Sequence, residues 1–272
     1  MASSDASSQI LRDLKWAVQS PSLIKNEVSA AILGDFELSQ LEEFFKSQNS
    51  RQVGRYFEAL IEFWLTKVRK VEMVERGLQV QDGTRTLGEL DFVFRDEEGV
   101  LTHWETAVKF YLHHEGSFVG PNAKDTLERK YRHLTEQQIQ LGKEAMPEIE
   151  KSEVFIKGCL YYHPKDKDPD ELPEYVSSDH LRGTWVHASE LEWLEDDQVY
   201  HILEKPHWFT VPFQKEARSG SAIREELKGH FATSCGHVHL IGEEGGPVFV
   251  VGDHWPNAVK NSISNKKEYY ES

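Results

Sequence analysis

Two cysteines in 272 residues, Cys159 and Cys235, are too few for a disulfide framework, and neither stands in a CxxC pair. They read as ordinary reduced thiols. No apolar run approaches the roughly 20 residues that a membrane span requires, so no membrane partner is expected. The opening MASSDASSQILRDLKW lacks a basic segment followed by an apolar stretch, so nothing there reads as a secretory signal and the cytoplasm is the default compartment. Positive charge is also scarce. With 31 Lys and Arg against 46 Asp and Glu, the formal net charge is −15, which opposes sequence-independent adhesion to polyanions. No internal repeat is visible.

What remains is the composition of a globular chain, 39% hydrophobic and 28% charged, long enough to bury a sizeable core. One main domain with elaborations is expected: a helical extension over residues 1–50, a core over 53–162, and a mixed elaboration over 163–272 packed on that core. In the extension, FELSQLEEFF carries apolar residues at helical intervals. From Val53 to Lys70, Phe57, Leu60, Ile61, Trp64, Leu65 and Val68 form one apolar stripe, which predicts an amphipathic helix. Glu58 lies at the edge of that stripe, about 100° from Phe57 on a helical wheel.

GLQVQ, TLGELDFVFR and GVLTHWETAVKFYL, separated by DG and DEEG, predict a three-stranded antiparallel meander. A helix over Asp125 to Lys143 and a strand at SEVFIKGCLYY follow, completing the order αβββαβ. The Pro- and Asp-rich HPKDKDPDELPEY reads as a surface loop. HVHLIGEEGGPVFVVGDHW reads as a hairpin, and NSISNKKEYYES as a solvated tail. The fold class is therefore α/β (α+β), with a mixed central sheet flanked by helices.

The turn Asp96-Glu97-Glu98-Gly99 sets a register. A three-residue loop ending in a left-handed glycine pairs Asp96 with Val100, which places Asp91 opposite Glu105. Their Cβ atoms would then lie about 4.5 to 5.5 Å apart on one face. Like charges so placed destabilise a strand pair, so the pair calls for a shared proton, a nearby Arg or Lys, or a divalent cation; oxygen ligands suit Mg²⁺ or Mn²⁺. Lys109 shares the parity of Glu105 and must find an anion, either these carboxylates or a phosphate.

The amphipathic helix followed by GELDFVF and HWETAVK resembles the core of the PD-(D/E)XK nuclease superfamily, over roughly residues 53–162. The whole chain is also similar to an uncharacterised bacterial family known only as a domain of unknown function. The nuclease resemblance implies a restriction-endonuclease-like fold and metal-dependent hydrolysis of nucleic acid, DNA ahead of RNA. It implies that Asp91 and Glu105 ligate the metal, that Glu58, the helical carboxylate, is a third ligand to it, and that Lys109 is the lysine beside the attacking water. Lys124, Lys130 and Gln137, near or on the next helix, would contact substrate.

The pattern departs at one position. The usual acidic-X-Lys triplet places lysine at 107, where this chain has Ala107. Four residues of strand put Lys109 about 13 Å along the backbone from Glu105, against about 6.6 Å for the usual spacing. A salt bridge for Lys109, and solvated helix positions for Glu58, Lys130 and Gln137, are the bland alternatives. A bound cation would reconcile the acidic balance with a polyanionic substrate. An inactive nuclease-like module that binds nucleic acid or protein is the second functional reading. Cys235, His237 and His239 alternate along one strand, but zinc sites draw ligands from two separated pairs, so no metal is expected there. Trp64 and Trp104 read as packing residues.

Overall fold

The computed structural model describes residues 2–25, 31–48, 50–167, 169, 171–214 and 216–257. The expected solvated tail NSISNKKEYYES lies outside them. Helices α1 (Ala2–Gln19), α2 (Leu38–Phe45) and α3 (Val53–Phe63) come first. In α3 the apolar stripe is buried at Phe57, Leu60, Ile61 and Trp64, and one π-helical turn, Trp64–Arg69, extends the helix until Lys70 (φ +59°) ends it.

Strands β1 (Glu72–Asp82), β2 (Arg85–Arg95) and β3 (Leu101–His114) then form the antiparallel meander, with short β4 (Ser117–Val119) folded back on β3. A long helix follows as α4 (Leu127–Arg132), a π turn (His133–Gln138) and α5 (Ile139–Ala145), leading to β5 (Lys151–Tyr162). Strand β5 pairs parallel to β3. The expected order αβββαβ is present.

The C-terminal part, expected only as mixed, adds β6 (Leu181–His187), β7 (Val199–Ile202), β8 (Arg218–Ser219), α6 (Gly220–Phe231), β9 (His237–Gly242) and β10 (Gly246–Val251). The expected hairpin is β9–β10. These strands join the meander in one ten-stranded mixed sheet of order β1-β2-β3-β5-β6-β10-β9-β7-β8, with β4 beside β3. The sheet thus runs without a break across the sequence boundary at residue 162.

Strands β3 and β5 are covered on both faces, and their near-continuous burial is what a central strand with parallel pairing requires. On β3, even residues Trp104, Val108, Phe110 and Leu112 pack with α1 and α3, and Trp64 and Trp104 are core residues. Odd residues Ala107 and Tyr111 pack with Leu127 and Leu134 of the long helix. The parity of β3 therefore sends Glu105 and Lys109 toward that helix.

Asp13 of α1 is fully buried and binds the N-terminal helix to the core. Tyr56 Oη (3.0 Å), Gln9 Nε2 (3.0 Å) and Thr210 Oγ1 (2.8 Å) donate to its carboxylate, and His207 Nδ1 lies 2.7 Å away. Lys157 of β5, also fully buried, sends its ammonium to the carbonyls of Val18 and Ser20 at the C-terminal end of α1. Its cation complements the negative end of the helix dipole, in a last turn with no basic residue of its own. No described helix is long and apolar enough to cross a membrane.

Replacing Asp13 removes the shared acceptor of buried Gln9 and Tyr56 and of half-buried Thr210 and His207, so Asp13→Ala is expected to destabilise the fold by about 3 kcal/mol, measured by urea denaturation. His207→Ala removes one half-exposed partner and is expected to cost about 1 kcal/mol or less.

Candidate metal centre

The turn is built as its residues dictate. Asp96 N–H donates to Val100 O (3.1 Å), Gly99 N–H donates to Asp96 O (3.0 Å), and Gly99 has φ +82°. Asp96 Oδ1 also accepts from the backbone N–H of Glu98 (3.0 Å) and Val100 (2.9 Å). Arg69, at the end of the first long helix, pins the turn through Glu97 (Nε–Oε1 2.7 Å) and holds the Glu97 carboxyl below its usual range. The ladder then runs Arg95↔Leu101 to Phe92↔Trp104, the register read from the sequence.

Beyond Phe92–Trp104 that ladder stops, and the next positions in the same register are Asp91 and Glu105. In place of a strand bond, Thr106 donates both its backbone N–H (2.7 Å) and its hydroxyl (3.2 Å) to Asp91 Oδ2. On β1 the position across from Asp91 is Gly77, with φ +60°, flanked by the pairs Arg76↔Phe92 and Leu78↔Leu90. Side-chain alternation breaks at the same place. Phe92 and Phe94 pack with α3, while Leu90 joins Val93 and Leu101 on the other side. The left-handed glycine thus coincides with the kink at which β2 parts from β3, leaving room between them.

Glu105 is 2% exposed. Its Oε1 lies 2.9 Å from Nε2 of fully buried His103, and Gln138 reaches its Oε2 at 3.5 Å while donating to Glu89 O at 2.7 Å. A Cβ on Gly142 of α5 would meet the His103 ring at 2.4 Å, so a glycine is required for that ring to sit beneath the helix. Burial, then the charge of Glu105, and to a smaller extent Glu58, push the Asp91 carboxyl up to about 7; its bonds from Thr106 oppose the rise. Burial is the larger cause of the rise and the Glu105 charge the second.

The remaining expected residues divide into two groups. Glu58 is half-buried on α3, and its carboxyl is raised by burial and by Glu89, against the pull of Arg55, Arg76 and Lys130. Lys130 is half-buried, its ammonium lowered by burial and by Lys109 while Asp91, Glu105 and Asp125 oppose the shift. Glu58 and Lys130 therefore share the electrostatic field of the carboxylate pair. Lys109 is held by Asp125 (Nζ–Oδ2 3.0 Å), which also accepts from Tyr111 Oη (3.0 Å). Burial alone would raise Asp125, but Lys109, Tyr111 and Arg129 together outweigh it and the net shift is downward.

Lys124 and Gln137 stand apart. Both are exposed, and Gln137 Oε1 lies 2.8 Å from His133 Nδ1. The inward amide is Gln138. Two regular turns after Lys130 would end at Gln137, but the π turn His133–Gln138 holds an extra residue and rotates the phase by one position. No sequence signal marks that turn. His103, Thr106 and Asp125 also belong to the site and were not expected. The period of two on β3 does place His103 on the face of Glu105.

Among the described residues no group of three or more His, Cys, Asp or Glu side chains converges on one point as a metal cage. Asp91 and Glu105 instead offer a two-carboxylate donor set. That fits a hard dication such as Mg²⁺, which commonly takes one or two carboxylates and fills its other positions with water and phosphate. On the far hairpin, Cys235 is exposed and His239 Nε2 lies 2.9 Å from Tyr161 Oη.

A family model described as a domain of unknown function, DUF1853, matches residues 12–244, most of the chain. No curated protein and no solved structure matches it.

The raised carboxyl has a consequence for stability. An acid whose folded pKa exceeds its unfolded value stabilises the fold below the unfolded value, about 4, and that contribution is lost as pH rises through about 7. Relative to the metal-free wild type, Asp91→Asn is therefore expected to gain melting temperature as pH rises from 5 to 8. Thermal melts across the range measure it.

Proposed function

We propose that this chain, which belongs to the DUF1853 family, is a metal-dependent phosphodiesterase of the PD-(D/E)XK type. Its substrate is nucleic acid, DNA ahead of RNA, and its ion Mg²⁺ or Mn²⁺. The observation that carries the reading is the coupling of Asp91 and Glu105 at the point where β2 parts from β3, with Lys130 in their field. The helix, meander, helix and parallel strand around that point have the order of the superfamily core.

Asp91 and Glu105 hold the ion, which supplies Lewis-acid polarisation of the phosphate and an acidified water. Thr106 and His103 fix the two carboxylates in place. Gln138 ties Glu105 to the backbone of β2. Glu58 adds negative charge at longer range and raises the affinity for a dication. Lys130 balances the pair and, with its proton affinity lowered by burial, is suited to a phosphate rather than to bulk water.

A cavity of about 670 Å³ adjoins Lys109 and supports access of a polyanion: Arg51, Lys109 and Lys205 line it against a single acid, Asp125. The outer face of the long helix supports it less. There Arg129, Lys130 and Arg132 stand among Asp125, Glu128 and Glu136, and Arg132 pairs with Glu128 at 2.8 Å.

One observation favours a second reading, a nuclease-like module that binds without cutting. Position 107 is alanine, and Lys109 is drawn to Asp125 rather than to Glu105.

Cleavage of single- and double-stranded DNA and RNA with Mg²⁺ or Mn²⁺ separates the two. Under the first reading activity is expected with metal, and is lost by about a hundredfold or more in Asp91→Ala. Inactivity on every polymer with retained binding supports the second.

A further inference from the structure

On the opposite face of β3 and β5 lies a second cavity, of about 680 Å³, within the size range of small-ligand pockets. Helix α1 forms one wall through Arg12, Lys15 and Trp16; β6 adds Arg182; and Phe110 and Trp208 close it from the sheet and the segment before β8. Its charge is anomalous. In a chain with a formal charge of −15, the described residues lining this cavity include three cations and no Asp or Glu.

Its walls are flat rings already arranged for stacking. Trp16 stacks on Phe209 at 4.8 Å, and Trp208 stands edge-on to Phe110 at 5.8 Å. The indole Nε1 of Trp208 and the Nδ1 of His239, both on lining residues, are buried without a hydrogen-bond partner. An unpaired buried polar group costs about 1–3 kcal/mol and calls for a reason. Cys159, also in the wall, is buried and its thiol pushed up to about 12, so it stays protonated and is no nucleophile. The cavity is built to bind rather than to react.

We propose that this cavity is a binding site for a small planar aromatic anion, a flat ring carrying one phosphate, sulfonate or carboxylate group. The ring lies among Trp16, Phe110 and Trp208, and the anionic group meets Arg12 and Lys15 of α1 at the rim, while the Arg182 guanidinium stands over Tyr162 at 3.8 Å on the other face. The site is independent of the carboxylate pair, and its occupancy is readable without any nuclease activity.

The test uses anilinonaphthalene sulfonate as the anionic aromatic probe and uncharged N-phenylnaphthylamine as its neutral counterpart, titrated into the full chain and followed by dye and tryptophan fluorescence. Saturable binding of the sulfonate at one site per chain is expected. Lys15→Gln and Arg12→Gln are each expected to weaken the sulfonate about fivefold and to leave the neutral dye unchanged. Trp16→Leu weakens both. Circular dichroism and melting temperature verify that each variant is folded, and Lys15→Gln, at an exposed position, keeps the test open if Arg12→Gln unfolds. Equal affinity for the two dyes, indifference of the sulfonate to loss of the cations, or no saturable binding overturns the proposal.

Discussion

A buried carboxylate, Glu105, and a half-buried one, Asp91, act on each other where β2 parts from β3, and the structure around them is arranged to tolerate their repulsion. The kink opposite Gly77 opens β2 from β3, Thr106 supplies two donors to Asp91, and His103 and Gln138 reach Glu105. Even so, the Asp91 carboxyl is pushed up to about 7. A fold that needed only stability could place apolar side chains at both positions at lower cost, since buried charge is rarely a net gain. The concentration of negative charge at one opened strand junction is the feature that a dication would satisfy and that an unaided protein satisfies only in part.

The rest of the fold positions that junction. The π turn after α3 carries Arg69 to Glu97, which pins the turn that sets the β2–β3 register. The parallel crossover to β5 lays the long helix over the odd face of β3, bringing Lys130 and Gln138 above the carboxylates. Even residues of β3 meet α1 and α3 on the other face, where the cation-rimmed cavity lies. One strand therefore serves two separate polar features through its alternation.

Much of this was legible in the sequence, because it depends on local rules. The glycine-terminated turn set the register from Arg95↔Leu101 to Phe92↔Trp104, beyond which Asp91 and Glu105 are the next positions. The stripe from Phe57 to Val68 gave the first long helix, and the strand patterns gave the meander, β5 and the β9–β10 hairpin. The rest depends on geometry that local pattern does not encode. An extra residue in a π turn moves the inward amide from Gln137 to Gln138. Asp125, at the start of a helix, captures Lys109 through the fold and not through spacing. Strands β6 to β8 are short, and they acquire their identity from neighbours far away in the chain.

If Asp91 and Glu105 hold a dication as proposed, binding exchanges the Asp91 proton for the ion. Calorimetric titration with Mn²⁺ at pH 6, in buffers of different ionisation enthalpy, measures that exchange directly. Binding is expected to release about one proton at pH 6, fewer at pH 8.5, and to vanish in Asp91→Ala. Absence of Mn²⁺ binding, or binding without proton release that survives Asp91→Ala, contradicts the account.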